Sequence, residues 1–123
     1  MVIELPWPPS VNHYWRRQGN TYFVSSEGKA YRDELYYRCA PYRGLFAPEK
    51  RLAVTIEAYP PDKRRRDLDN ILKSLLDSLQ YAKVYADDSQ IDFLAIKRNP
   101  AIQKKIIVEV TEFQKGIGSF RSS

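Results

Sequence analysis

Apolar residues recur at Leu68, Ile71, Leu72, Leu75, Leu76 and Leu79. At about 100° per residue these six fall on one arc of a helix, which runs from about Asp67 to Gln80. Asp69, Asn70, Lys73, Ser74, Asp77 and Gln80 take the opposite arc, so one face is core and the other is free. A different period governs 52–58, where Leu52, Val54, Ile56 and Ala58 alternate with Thr55 and Glu57 as in a half-buried strand. Ile91, Phe93 and Ala95 predict a further strand, and so do Ile106, Val108 and Val110. Val2 to Leu5 is a short strand stopped by Pro6-Trp7-Pro8-Pro9, since each proline removes a backbone donor.

Between the first strand and position 52 the pattern is less regular. Asn12, His13, Tyr14, Trp15, Arg16 and Arg17 read as a loop, Gly19-Asn20 as a turn, and Thr21 to Val24 as a strand or hairpin arm. Ser25 or Ser26 can cap a second helix, in which Ala30, Tyr31, Leu35, Tyr36 and Cys39 recur at helical spacing until Pro41. The order strand, helix, strand, helix, strand, strand predicts a single α+β domain, a mixed β-sheet with two main helices. That domain takes 1–113, and 114–123 is a polar C-terminal tail.

Composition adds a partner class. Twenty Lys and Arg oppose fifteen Asp and Glu, a net charge of +5, and the cations cluster at Arg16-Arg17, Arg64 to Arg66, Lys97-Arg98 and Lys104-Lys105. Such clusters favour a polyanion. One cysteine, Cys39, and one histidine, His13, exclude a structural zinc site and an internal disulfide. No segment approaches the roughly 20 apolar residues of a membrane span. The expectation is a cytoplasmic protein with no membrane contact.

The densest chemistry is Arg64-Arg65-Arg66-Asp67-Leu68-Asp69-Asn70 at the start of the central helix. Guanidinium forks match phosphate oxygens, and paired carboxylates suit a hard divalent cation. Asp67 stands where an N-cap would stand, Asp69 lies in the first turn, and Lys73 follows Asp69 by four residues. A second acidic pair, Asp87-Asp88, lies in a turn beyond the helix and could supply a third ligand if the chain folds back towards Asp67. The same residues also admit a plainer reading, in which Asp67 caps the helix, Asp69 answers its dipole and both pair with Arg64 to Arg66.

The run Leu5-Pro6-Trp7-Pro8-Pro9-Ser10-Val11-Asn12, the segment ending Ala30-Tyr31-Arg32-Asp33, the stretch Arg64 to Lys73 and the pair Asp87-Asp88 together resemble the RusA family of Holliday junction resolvases. The resemblance spans about residues 3 to 92. It implies a Mg²⁺-dependent homodimeric endodeoxyribonuclease, often prophage-encoded, that nicks opposed strands of four-way junction DNA in recombination and repair. Carried over by position, the catalytic and metal-holding carboxylates are Asp67, Asp69 and Asp88, with Asp87 as a neighbour, and the functional lysine is Lys73. Arg64, Arg65, Arg66, Arg16, Arg17 and Asn12 would then contact DNA. Val11 departs from the pattern, because family members often carry a polar residue there. Two other classes remain open on residues alone: a non-catalytic module for branched or single-stranded DNA, and a small protein-interaction domain.

Overall fold

The computed structural model describes residues 1–114; the expected tail beyond Gln114 lies outside the described residues. Four strands form the main sheet: β1 (Val2–Pro6), β4 (Leu52–Tyr59), β5 (Ile91–Arg98) and β6 (Lys105–Glu112), in the order β1-β6-β4-β5. β6 runs antiparallel to both β1 and β4, whereas β5 lies parallel to β4. The sheet is therefore mixed, as its sequence pattern predicts. A separate hairpin pairs β2 (Trp15–Gln18) with β3 (Thr21–Val24), and Gly19 at its tip takes a φ of 60°, where a side chain would be strained.

Alternation decides what each strand buries. Leu52, Val54, Ile56 and Ala58 of β4 and Ile106, Val108 and Val110 of β6 face one core, completed by the helices α2 (Ser26–Arg38) and α3 (Asp69–Tyr81). From α3, Ile71, Leu75 and Leu79 are buried, and from α2, Tyr31 and Leu35. Parallel neighbours cannot be joined by a tight turn and need a crossover. α3 is that crossover, leaving the end of β4 and returning the chain to the start of β5, where Ile91 pairs with Leu52.

Three details differ from the sequence pattern. The stretch expected to be a loop at 12–17 contains a one-turn helix, α1 (Val11–Tyr14), followed directly by β2. The central helix begins at Asp69 after Leu68, so the Asp67 side chain is not a cap; only its carbonyl takes part, accepting from Asn70 N–H at 3.2 Å. Ser74, assigned by periodicity to the free face, is fully buried, and its Oγ donates to the Pro9 carbonyl at 2.7 Å. Ser78 is buried beside it, because the proline-rich segment and α1 cover the flank of α3. Helical periodicity identifies the sheet-facing arc but says nothing about a loop that packs from the side.

Ser25 locks that flank. Its hydroxyl accepts from Gly28 N–H at 3.0 Å, capping α2, and donates to the His13 carbonyl, while its N–H donates to the Tyr14 carbonyl at 2.8 Å. Gly28 is where α2 touches α1 and β3: an added Cβ would lie 2.6 Å from the Tyr14 carbonyl oxygen and 2.7 Å from Val24 Cγ1. Alanine would raise helix propensity by about 1 kcal/mol. The overlap costs about 1–3 kcal/mol and involves backbone that cannot step aside. Gly28→Ala should therefore be less stable in urea denaturation, and a more stable variant would refute the close approach of α2 to α1.

Candidate active site

The segment between β4 and α3 is organised by a residue that looks in sequence like a turn marker. Asp62 accepts from Arg66 Nη1 at 2.5 Å and Nη2 at 2.9 Å, from Arg64 N–H at 2.9 Å and from Arg64 Nε at 3.3 Å. The Arg66 fork, followed by the Arg64 N–H, holds the Asp62 carboxyl well below the usual carboxylate range. Arg98, at the end of β5, donates to the Arg66 carbonyl and ties this loop to the sheet. The three arginines are thus not equivalent. Arg66 is half-buried and committed, Arg64 is partly committed, and Arg65 is exposed with no ion pair among the described residues.

Asp67 and Asp69 are both exposed, and among the described residues neither makes an ion pair or a side-chain hydrogen bond. The plainer reading of these acids, as a cap and a salt-bridge partner, is not what the fold builds. Asp67 lies on the rim of a cavity of about 720 Å³ whose walls include Trp7, His13, Glu27, Arg64, Arg65 and Asn70.

One turn along α3, Lys73 projects into a second groove, of about 670 Å³, shared with Asn12, Trp15, Arg16, Arg17 and Tyr22. The structure therefore brings three expected DNA contacts, Asn12, Arg16 and Arg17, to the expected functional lysine. The hairpin supplies the far wall, with the Arg17 guanidinium 5.7 Å from the centre of the Tyr22 ring. Lys73 and Asp69 form no ion pair, although their spacing would allow one.

Asp88 is held at the other end of the helix. Asp87 caps a short 3₁₀ turn (Asp88–Gln90), and the buried Gln90 accepts from the N–H groups of Ala86 and Asp87 while donating to the carbonyls of Ala47 and Lys50. The Asp88 N–H donates to Gln80 Oε1 at 2.9 Å. Gln80 lies eleven residues beyond Asp69, about 17 Å along a helix axis. The expected return of Asp88 towards Asp67 and Asp69 does not occur within one chain: among the described residues no three His, Cys, Asp or Glu side chains converge on a possible metal. The parallel β4–β5 connection is the reason, because it requires α3 to carry the chain from one end of the sheet to the other.

Asp88 lies beside the last turns of α3, within electrostatic reach of Asp77 and Lys73. Burial, then the charges of Asp87 and Asp77, raise its pKa, and Lys73 opposes them. Asp77 accepts a hydrogen bond from the buried Tyr14 hydroxyl, whose pKa is pushed up to about 12 by burial and then by that bond. Asp69, Lys73, Asp77 and Gln80 thus make one polar stripe, with Asp88 at its end. Asp77 and Tyr14 were missed as a pair in the sequence. The available signal was the repetition at four residues from Asp69 through Lys73 to Asp77.

Two carboxylates without partners among the described residues, flanked by basic grooves at the carboxyl ends of parallel strands, define an enzyme that acts on a nucleic-acid backbone. Residues 6–111 match the family model described as Endodeoxyribonuclease RusA. The chain is 40% identical over 111 residues to the crossover junction endodeoxyribonuclease rusA of Enterobacteria phage HK97, covering 89% of this chain and 92% of that protein. The RusA protein of Escherichia coli strain K12 is 39% identical over 114 residues, with the same coverage, and that of Enterobacteria phage 82 is 38% identical. The chain belongs to the RusA endodeoxyribonuclease family.

Asp62 yields a pH prediction. A carboxyl whose folded-state pKa is depressed adds stability above its ordinary value near 4, and that stability is lost as pH falls towards the folded value. Asp62→Asn should melt below the parent at neutral pH, with the gap narrowing in acid below about pH 4. A gap independent of pH would assign the loss to packing instead of charge.

Proposed function

We propose that the protein is a cytoplasmic Holliday junction resolvase that hydrolyses phosphodiester bonds of four-way junction DNA in recombination and repair, using Mg²⁺ held by Asp67, Asp69 and Asp88. The observation that carries this reading is the pair Asp67 and Asp69, exposed and without partners among the described residues, beside a basic groove. One or two carboxylates with substrate phosphate form an ordinary magnesium environment, so these donors fit the ion. When bound, the ion supplies charge neutralisation at the scissile phosphate and lowers the pKa of water. Lys73 lies one turn from Asp69, where its ammonium can pair with a phosphate oxygen as the strand crosses α3. Arg65, with Arg16, Arg17 and Asn12 on the hairpin side, binds neighbouring backbone phosphates and positions the strand without reading bases.

A homodimer accounts for Asp88. Asp69 and Asp88 mark opposite ends of one helical stripe, so a twofold axis crossing the middle of α3 would set the two helices antiparallel. Asp67 and Asp69 of one protomer would then meet Asp88 of the partner subunit, twice per dimer. Two centres related by symmetry suit two nicks in opposed strands.

Asp69→Asn should abolish nicking of a synthetic four-way junction in Mg²⁺ while junction binding by gel shift persists, and EDTA should silence the parent in the same way. Nicking by Asp69→Asn at the parent rate would remove the assignment. Subunit mixing tests the shared centre. Asp69→Asn and Asp88→Asn proteins, each inactive alone, should recover one intact centre per mixed dimer and nick one strand after co-refolding. A mixture as inactive as its parts would place Asp88 in the same centre as Asp69 of its own chain.

A further inference from the structure

The cavity of about 720 Å³ beside Asp67 has two unlike sides. One is apolar: Pro9, Tyr31 and Ile71 are buried along it and Trp7 is half-buried. The Tyr31 hydroxyl is already committed, donating to the Pro6 carbonyl at 2.8 Å. The other side carries Arg65, Lys104, Glu27 and Asn70, all exposed, and none of these side chains has a partner among the described residues. Asn70 and Ile71 lie about 100° and 200° around α3 from Asp69. The cavity therefore opens to one side of the stripe formed by Asp69, Lys73, Asp77 and Gln80, on which the proposed dimer closes.

A groove that only passes a DNA backbone would be polar throughout and free of acids. This one is neither. An apolar wall suits a flat body taken out of water, and the cations on the rim suit a phosphate attached to it. Glu27 is the informative residue. Its place in the first turn of α2 suits the helix dipole, yet its carboxylate repels any phosphate that passes it. An ionised carboxylate only accepts hydrogen bonds, so its match is a partner with N–H donors. Adenine, cytosine and guanine each carry an exocyclic amino group. Thymine has none, and its one ring N–H stands between two carbonyl oxygens that a carboxylate repels. Asn70, on the same cavity, offers a donor and an acceptor to the remaining edge of a base.

We propose that this cavity takes the base of a nucleotide next to the scissile phosphate, with Glu27 accepting from its amino group and Arg65 and Lys104 on its backbone. Glu27 is then a specificity-determining residue that disfavours thymine at that position. Extruding a base costs least where its stacking is already interrupted, so the pocket couples choice of base to the branch point. The inference rests on the function proposed above, because Asp67 on the cavity rim is what places the base beside the chemistry.

The test is nicking, in Mg²⁺, of synthetic four-way junctions randomised across the exchange point, with the cleaved strands sequenced. At one of the two positions flanking the cut, the parent should cut thymine about tenfold less than the other three bases. Glu27→Gln, whose amide can donate to a thymine carbonyl, should cut all four at similar rates and keep the parent melting temperature. A parent indifferent to thymine, a Glu27→Gln protein that keeps the discrimination, or an equal loss of rate on all four bases would overturn the pocket while the resolvase reading stands. Failure of the parent to nick any four-way junction would overturn both.

Discussion

The parallel pairing of β4 with β5 sets where everything else can be. Two parallel neighbours must be joined by a segment that travels the length of the sheet, and here that segment is α3. Its first turn therefore sits beyond the carboxyl ends of both strands, the region where open sheets with crossovers place ligands. Asp67, Asp69 and the arginine loop arrive there together, and Arg98 at the end of β5 closes the loop onto the sheet. The same crossover delivers Asp87 and Asp88 to the far end, so the separation of the two acidic elements is a consequence of topology and not of loop conformation.

A second constraint aligns the basic hairpin with the helix. Ser74 and Ser78 are small enough for the proline-rich segment and Tyr14 to approach α3 closely, and each hydroxyl has a partner in the covering chain. A satisfied buried hydrogen bond contributes only about 0.5–1.5 kcal/mol, whereas leaving its partner unsatisfied costs about 1–3 kcal/mol. The network therefore acts mainly by excluding other placements of the segment. What it fixes is the position of Asn12, Arg16 and Arg17 across a groove from Lys73.

The sequence made legible what periodicity and motif spacing encode. The sheet-facing arc of α3, the alternation of β4 and β6, the turn at Gly19 and a cap at Ser25 or Ser26 all follow from local pattern. Asp67, Asp69, Lys73 and Asp88 were nameable by resemblance. What could not be read was relational. Alternation is the same for parallel and antiparallel strands, so the sequence could not say which way Asp88 would be carried. Ser74 sits on the polar arc by count, yet an irregular segment buries it. Asp62 reads as part of a proline turn, and its hold on Arg66 depends on a loop geometry that no period records.

Asp62 and Asp69 illustrate a division of electrostatic labour. Two carboxylates near three arginines would ordinarily pair with them, and paired acids would be poor ligands for an incoming cation. Here Asp62 takes Arg66 and part of Arg64, while Asp69 lies in the first turn of α3, where the helix dipole favours a negative charge without a side-chain partner. Arg64 and Arg66 are thus anchored by one acid, while Asp67 and Asp69 stay without a partner among the described residues. Removing Asp62 would then act indirectly, by freeing Arg66 to pair with Asp67 or Asp69.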